Sequence, residues 1–202
     1  MMHVIEIGDL SQESERAIRN CPALAIDIET SGLDWAKDSI GLISIMTSNG
    51  ESFLLRPDES HPNRFIGILE DNGIQKLFHH AMFDLRFICS KWSCTAAQVA
   101  CTKVMAKLLA PTESSSLKDL LNKHFGLNLN KDEQKSDWMN DSLSESQLNY
   151  ALSDVRHLFD LFECLNGLLK QIGLDLIADR ALRHIPTRVS LDLRGYPDIY
   201  SY

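Results

Sequence analysis

The chain has 202 residues, enough for one domain with a sizeable core of its own. Hydrophobic residues make up 44% and charged residues 24%, a balance that excludes a disordered chain. Twenty-eight acids against 20 bases leave a net charge of −8, which excludes a broad basic face for nucleic acid and leaves phosphates to local cations or bound metal.

No apolar run approaches the ~20 residues of a membrane span, and Met1-Met2-His3-Val4-Ile5-Glu6 lacks the basic and apolar regions of a signal peptide. The five cysteines, Cys21, Cys89, Cys94, Cys101 and Cys164, are odd in number and form no C-x-x-C pair. They point to buried thiols in a reducing cytoplasm, with a redox role as the minority reading.

Leu24-Ala25-Ile26-Asp27-Ile28-Glu29 alternates apolar and polar residues and reads as a strand. A second strand is predicted over residues 40–47 and a third over 52–55, joined through the hairpin signal Asn49-Gly50. Lys76 to His79 reads as a fourth, shorter strand. Helices are predicted from Phe83 to Cys89 and from Thr102 to Leu109, the second stopped by Ala110-Pro111. Ser116 can cap a helix over 117–125, with Gly126 as its stop. Ser144 and Gln147 form a capping box that opens the longest predicted helix, about 145–170. Its apolar stripe is Leu148, Leu152, Val155, Leu158, Phe159, Phe162 and Leu165. Pro186, Gly195 and Pro197 break the helical pattern in residues 185–202, which read as a tail rich in Tyr196, Tyr200 and Tyr202. Strands first and helices mostly after suggest an α/β or α+β sheet with helices on its faces.

Three polar placements stand out. Asp27 and Glu29 lie two apart on an apolar strand and so share one face, a costly pairing unless a cation lies between them or that face meets water. Mg²⁺ and Mn²⁺ favour such oxygen ligands. Asp84 opens a helix among large apolar residues, where a helix dipole also favours an acid. Tyr150 and Asp154 lie four apart, on one helix face.

Together these form D-x-E on a strand, Asp at a helix start and Y-x-x-x-D on a later helix. The set resembles the DEDDy family of 3′–5′ exonucleases. Ala25-Ile26-Asp27-Ile28-Glu29-Thr30-Ser31-Gly32-Leu33 is similar to its first motif, Phe78-His79-His80-Ala81-Met82-Phe83-Asp84-Leu85 to its second, and Leu148-Asn149-Tyr150-Ala151-Leu152-Ser153-Asp154-Val155 to its third. Lys131-Asp132-Glu133-Gln134-Lys135-Ser136-Asp137-Trp138 is similar to the K-x-E-Q-x-S-D-W segment of the ribonuclease D branch. Cys101-Thr102-Lys103 and residues 188–196 resemble the compact nano-RNase C subgroup. Cys101 departs from the Asp usual in ribonuclease D, and His80 from the Asn near that position in many exonucleases.

The resemblance implies an RNase H-like mixed α/β sheet flanked by helices. Residues 1–184 would be the exonuclease domain, and residues 185–202 a tail packed on it or at an oligomer interface. It implies two divalent ions, Mg²⁺ or Mn²⁺, held by Asp27, Glu29, Asp84 and Asp154, with Tyr150 orienting the attacking water. It places Thr30 and Leu33 at the terminal nucleotide, Leu33 as an apolar wedge; a buried loop anchor is the alternative for Leu33. His79 and His80 are candidate sugar or phosphate contacts or satisfied core histidines. Gln134 is a candidate substrate contact, and Trp138 is either a stacking surface or core. Lys103, Lys107, Lys118, Lys123, Lys131 and Lys135 against four acids make residues 103–135 locally +2, a phosphate-facing patch or solvated helix faces.

The implied activity is hydrolysis of short single-stranded RNA, dinucleotides included, to 5′-mononucleotides, by a homo-oligomer that in this subgroup is a ring-like octamer. RNA 3′-end processing like that of ribonuclease D and DNA degradation are the enzymatic alternatives. An inactive nucleic-acid-binding module is the non-enzymatic one; it predicts damaged ligand positions, and Asp27, Glu29, Asp84, Tyr150 and Asp154 are intact.

Overall fold

The alternation at residues 24–29 is a central strand in the computed structural model, which describes residues 5–129, 132–196, 198–199 and 201. The expected contributions of Lys131, Pro197, Tyr200 and Tyr202 lie outside the described residues. Six strands form one mixed sheet: β1 (Ile5–Ile7), β2 (Ala23–Thr30), β3 (Ile40–Thr47), β4 (Ser52–Arg56), β5 (Gln75–Phe78) and β6 (Val99–Cys101), in the order β1-β4-β3-β2-β5-β6. β2, β3 and β4 form the antiparallel meander expected from the Asn49-Gly50 turn, where Gly50 takes φ +89°. β5 and β6 extend it in parallel, as does β1 beside β4.

Eight helices flank the sheet among the described residues: α1 (Gln12–Arg19), α2 (Asn63–Leu69), α3 (Ala81–Trp92), α4 (Thr102–Leu109), α5 (Leu117–Phe125), α6 (Glu145–Arg156), α7 (Leu158–Gln171) and α8 (Asp175–Leu193). The capping signals are realised. The Ser116 hydroxyl accepts from the Asp119 N–H at 3.2 Å, and Gly126 closes α5 at φ +69°. Ser144 and Gln147 exchange both bonds of a capping box at the start of α6.

Two expectations are corrected. The helix predicted over 145–170 is two helices, α6 and α7, because the backbone leaves helical geometry at His157 (φ −107°, ψ 8°). The apolar stripe hides the break: Leu152, Val155, Leu158, Leu161 and Leu165 are buried on both sides of it. The helical pattern does not end at Pro186 either, since α8 runs through it to Leu193 and crosses the division expected at residue 185. An internal proline costs about 3 kcal/mol. Burial of Ile185 and Val189 offsets that cost, as does Asp192, whose carboxylate accepts from Arg86 Nε of α3 at 2.7 Å and also pairs with Arg188. α8 is thereby fastened to the helix that carries Asp84.

α6 packs on β2 and β3, and α3 on β5, β6 and α8. This brings the first turn of α3 and the middle of α6 to the Asp27–Thr30 end of β2. The register of β2 against β3 shifts at that end. Glu29 faces Leu42 and Thr30 faces Ile40, so Gly41 is the extra residue of a bulge.

Candidate active site

On β2, Ile26 and Ile28 are buried in the core, and Asp27 and Glu29 point to the other face. α6 lies over that face, and Asp154 meets the pair there. One carboxylate oxygen from each of Asp27, Glu29 and Asp154 falls within a set whose members are all within 4.8 Å of one another. Asp84, in the first turn of α3, is 2% exposed, and its Oδ2 has no hydrogen-bond partner.

The electrostatics follow from this crowding. Burial, then the charges of Asp84, Asp154 and Glu29, holds the Asp27 carboxyl well above the usual carboxylate range. Burial, then Asp154 and Asp84, pushes Glu29 up to about 9. Burial also raises Asp84, against the opposing influence of its own backbone N–H and Lys103. The Tyr150 phenol is raised by burial and by Asp154, Glu29 and Asp27, so it stays a protonated donor at neutral pH. The close-set oxygens of Asp27, Glu29 and Asp154, together with the orphaned buried oxygen of Asp84, fit divalent cations, whose charge would relieve this repulsion.

These groups floor a cleft of about 570 Å³. Thr30, Leu33, His80, Phe83 and Gln134 line its walls. Leu33 is 84% exposed, which overturns the buried-anchor alternative. Its loop is nonetheless braced: Asp38 accepts from the Ser31 hydroxyl and the Asp34 N–H, and its carboxylate fills the space a Cβ at Gly32 would need. The Thr30 hydroxyl donates to the Gly32 carbonyl at 2.6 Å. His80 stands on the rim with its ring stacked on Phe83, centroids 5.8 Å apart. Burial against its neighbours, then the charges of Lys103, Arg86 and Lys107, lowers its imidazole to about 4, so it is neutral at pH 7.

His79 and Trp138, each a substrate contact or a core residue on the sequence, take the core alternative. His79 has both ring nitrogens engaged, Nδ1 with the Thr102 hydroxyl at 2.8 Å and Nε2 with the Ser115 carbonyl at 3.1 Å. It ties the end of β5 to α4 and the α5 cap rather than lining the cleft. Trp138 is 2% exposed and packs on Tyr150 with centroids 6.0 Å apart, so it supports the tyrosine and offers no open face to a base. The lysine-rich stretch also divides. Lys135 lines the cleft, Lys103 and Lys107 act on His80, and Lys123 pairs with Glu113 at 2.6 Å on another surface.

Gly41, Arg56 and Gln147 complete the frame, and the motifs do not reveal their part in it. Arg56 reaches from β4 to the segment beside the cleft and donates to the carbonyls of Asp141 at 3.0 Å, Asn140 at 2.5 Å and Trp138 at 3.4 Å. Gln147 Nε2 donates to the Asp137 carbonyl at 3.2 Å. At Gly41 a Cβ would lie 2.9 Å from the Trp138 carbonyl carbon and closer still to its oxygen. The one available sequence signal was a glycine inside an apolar strand, which marks a bulge or a close backbone approach.

A carboxylate cluster suited to divalent cations, at one end of a mixed sheet flanked by helices and opening into a groove with apolar and hydrogen-bonding walls, is the arrangement of a metal-dependent hydrolase. The chain belongs to the 3′–5′ exonuclease family, whose model matches residues 2–170. It is 28% identical over 157 residues to ribonuclease D of Pseudomonas paraeruginosa, an alignment covering 77% of this chain and 42% of that protein. The chain thus spans less than half the length of that curated relative. Among solved structures it is similar to Brucella melitensis NrnC, at 29% identity and a TM-score of 0.91, covering 100% of this chain and 99% of that one. The same protein with bound Mg²⁺ and bound to pGG matches at 28% and 29% identity with TM-scores of 0.91 and 0.89, each covering 100% of both chains. Escherichia coli RNase D, at 22% identity and a TM-score of 0.81 over 94% of this chain and 51% of that one, shares the fold.

Proposed function

We propose that the chain is a metal-dependent 3′–5′ exoribonuclease that hydrolyses short oligoribonucleotides, dinucleotides included, to 5′-mononucleotides. The observation that carries the reading is the floor of the cleft, where Asp27, Glu29 and Asp154 converge and Asp84 keeps a buried oxygen without a partner. The short substrate is supported by the likeness along the whole chain to NrnC, a structure of which is bound to pGG.

In this reading Asp27, Glu29, Asp84 and Asp154 hold two divalent ions, Mg²⁺ or Mn²⁺. When bound, such a pair supplies an activated water and charge relief at the departing 3′-oxygen. Tyr150, whose hydroxyl donates to the Asp154 carboxylate in the metal-free chain, would turn that donor to the attacking water once Asp154 holds metal, and so fix the water's direction. Trp138 behind it and the Arg56 clamp keep that donor in place. Leu33, projecting from its braced loop, seats against the terminal base. Thr30, His80 and Gln134 are placed for polar contact with sugar and phosphate, with His80 acting as a neutral imidazole. Lys135 supplies local positive charge at the cleft of an acidic protein.

A ring-like homo-octamer in a reducing cytoplasm belongs to the same reading. Ile172, Leu176 and Ile177 are exposed around the α7–α8 corner, and Tyr196 and Ile199 beyond α8, which supports burial between copies. The five cysteines are free thiols, and no described helix is long and apolar enough to cross a membrane. Sedimentation at a mass near 22.8 kDa would remove the ring.

The experiment is a time course on 5′-labelled RNA of two, seven and about twenty nucleotides with Mn²⁺ or Mg²⁺ and an EDTA control. Fastest turnover of the dinucleotide is expected. Processive shortening of the longest RNA with an untouched dinucleotide would transfer the assignment to ribonuclease D-like processing. Cleavage of DNA alone would transfer it to a DNA exonuclease.

A further inference from the structure

α3 ends at Trp92, and the chain turns away through Ser93, which takes the left-handed conformation at φ 52°. That turn folds Cys94 back over the last turn of the helix. The Cys94 thiol donates to Cys89 Sγ with the sulfurs 3.7 Å apart. Both cysteines border a surface hollow of about 410 Å³, walled by Trp35, Ser93, Ser190 and Arg194. Of the five cysteines, this is the pair whose sulfurs meet.

We propose that Cys89 and Cys94 form a peroxide-oxidisable dithiol that closes to an intramolecular disulfide. A disulfide needs the sulfurs about 1.7 Å closer, at ~2.05 Å. Cys94 lies in a loop one residue past the cap, so closing that gap falls to Cys94 and its loop while Cys89 stays in the helix. The two thiols are unequal. The hydrogen bond from Cys94 lowers the Cys89 thiol below its ordinary range, whereas donating that bond, together with burial, raises Cys94. Cys89, fixed in the helix at the wall of the hollow, is the attacking sulfur, and Cys94, beyond the helix cap, is the resolving one, an order that the lowered Cys89 thiol supports. Glu70 is the acid that opposes ionisation of both, and Arg194 is the cation in the hollow.

The oxidant is hydrogen peroxide. The Cys89 thiolate attacks one peroxide oxygen and the O–O bond breaks. Cys89 becomes a sulfenic acid, and the second oxygen leaves as water with the thiol proton. Cys94 sulfur then attacks the sulfenic sulfur. The S–S bond forms, the S–O bond breaks, and hydroxide leaves with the Cys94 proton as a second water. Two thiols and one peroxide give one disulfide and two waters.

The test uses the reduced full-length protein, treated with hydrogen peroxide, alkylated and mapped with trypsin. Cleavage after Arg86, Lys91 and Lys103 places Cys89 in residues 87–91 and Cys94 in residues 92–103, the latter shared with Cys101. We expect these two peptides to be joined, reversibly by dithiothreitol, and the link to survive Cys101→Ser. In Cys94→Ser, Cys89 should stop at the sulfenic acid and be captured by dimedone. Capture at Cys94 in Cys89→Ser should be at least about tenfold weaker. A link lost with Cys101→Ser, no link at peroxide concentrations that oxidise the methionines, or equal dimedone capture in the two single variants would overturn the proposal.

Discussion

Replacing Gly41 by alanine probes the framework that holds the cleft without touching a carboxylate. Gly41 is the extra residue of the β2–β3 bulge, and the new Cβ would sit 2.9 Å from the Trp138 carbonyl carbon. An ordinary van der Waals contact begins near 3.4 Å. The Trp138 backbone must therefore retreat by about 0.5 Å or more, against the Arg56 guanidinium that holds the carbonyls of Trp138, Asn140 and Asp141. Trp138 carries the motion into Tyr150, on which it packs. Overpacking of this kind costs about 1–3 kcal/mol, which for a chain of this size lowers Tm by roughly 2–12 °C. A 1 Å misplacement of a reacting group costs about 10²-fold in rate, so about tenfold is expected in kcat. KM should change less than about twofold, because Leu33, Thr30 and His80 lie outside the displaced segment. The assay is steady-state hydrolysis of a labelled dinucleotide with Mn²⁺, with a melting curve of the same preparation. A Gly41→Ala protein with the wild-type kcat and Tm would refute the reasoning.

Other perturbations have equally definite outcomes. Asp27→Asn should lower kcat by at least about 10²–10³-fold, as expected when charge stabilisation of the transition state is lost. It should also raise the metal-free Tm at pH 8, since burial and the neighbouring acids make an ionisable carboxyl at this position costly in the folded chain; a lower Tm would contradict the crowding described. Glu29 carries the pH dependence. Its folded carboxyl is raised to about 9 from an ordinary 4.5, so the folded chain binds more protons than the unfolded chain across that window. The Glu29 contribution to metal-free stability should thus be fully present at and below about pH 4.5 and be lost as pH rises towards 9, and saturating Mn²⁺ should flatten the fall; a metal-free Tm that rises from about pH 5 to 9 would refute this. Leu33→Ala should raise KM for a dinucleotide by about tenfold, the loss of roughly 1–2 kcal/mol of apolar contact, while Tm stays within a degree. An unchanged KM would remove the wedge.

The carboxylate chemistry was legible because each motif is local: D-x-E puts two side chains on one face of a strand, and Y-x-x-x-D puts two on one face of a helix. The hairpin at Asn49-Gly50 and the caps at Ser116 and Ser144 were legible for the same reason. β1 and β6 have three residues each, too few to show a period. α1 is not legible because its window is strongly polar and buries only Ser14 and Ile18. The passage of α8 through Pro186 depends on packing from distant elements, above all on Arg86 reaching Asp192, and the apolar stripe that continues across His157 conceals the break there. The same limit applied to the walls of the cleft. Nothing local distinguishes His79, whose ring is taken by Thr102 and Ser115, from His80, which stands on the rim. Nothing local shows Arg56 bonded to a segment more than 80 residues away.

The central claim is that the Asp27–Glu29–Asp84–Asp154 cluster performs metal-dependent hydrolysis from the 3′ end. The most direct measurement follows a 5′-labelled RNA heptamer on a sequencing gel, for the wild type with Mn²⁺, the wild type with EDTA, and Asp154→Asn with Mn²⁺. The wild type with metal should give a ladder that shortens one nucleotide at a time from the 3′ end, and the other two should leave the heptamer intact. Internal cuts, a ladder that persists in EDTA, or wild-type cleavage by Asp154→Asn would contradict it.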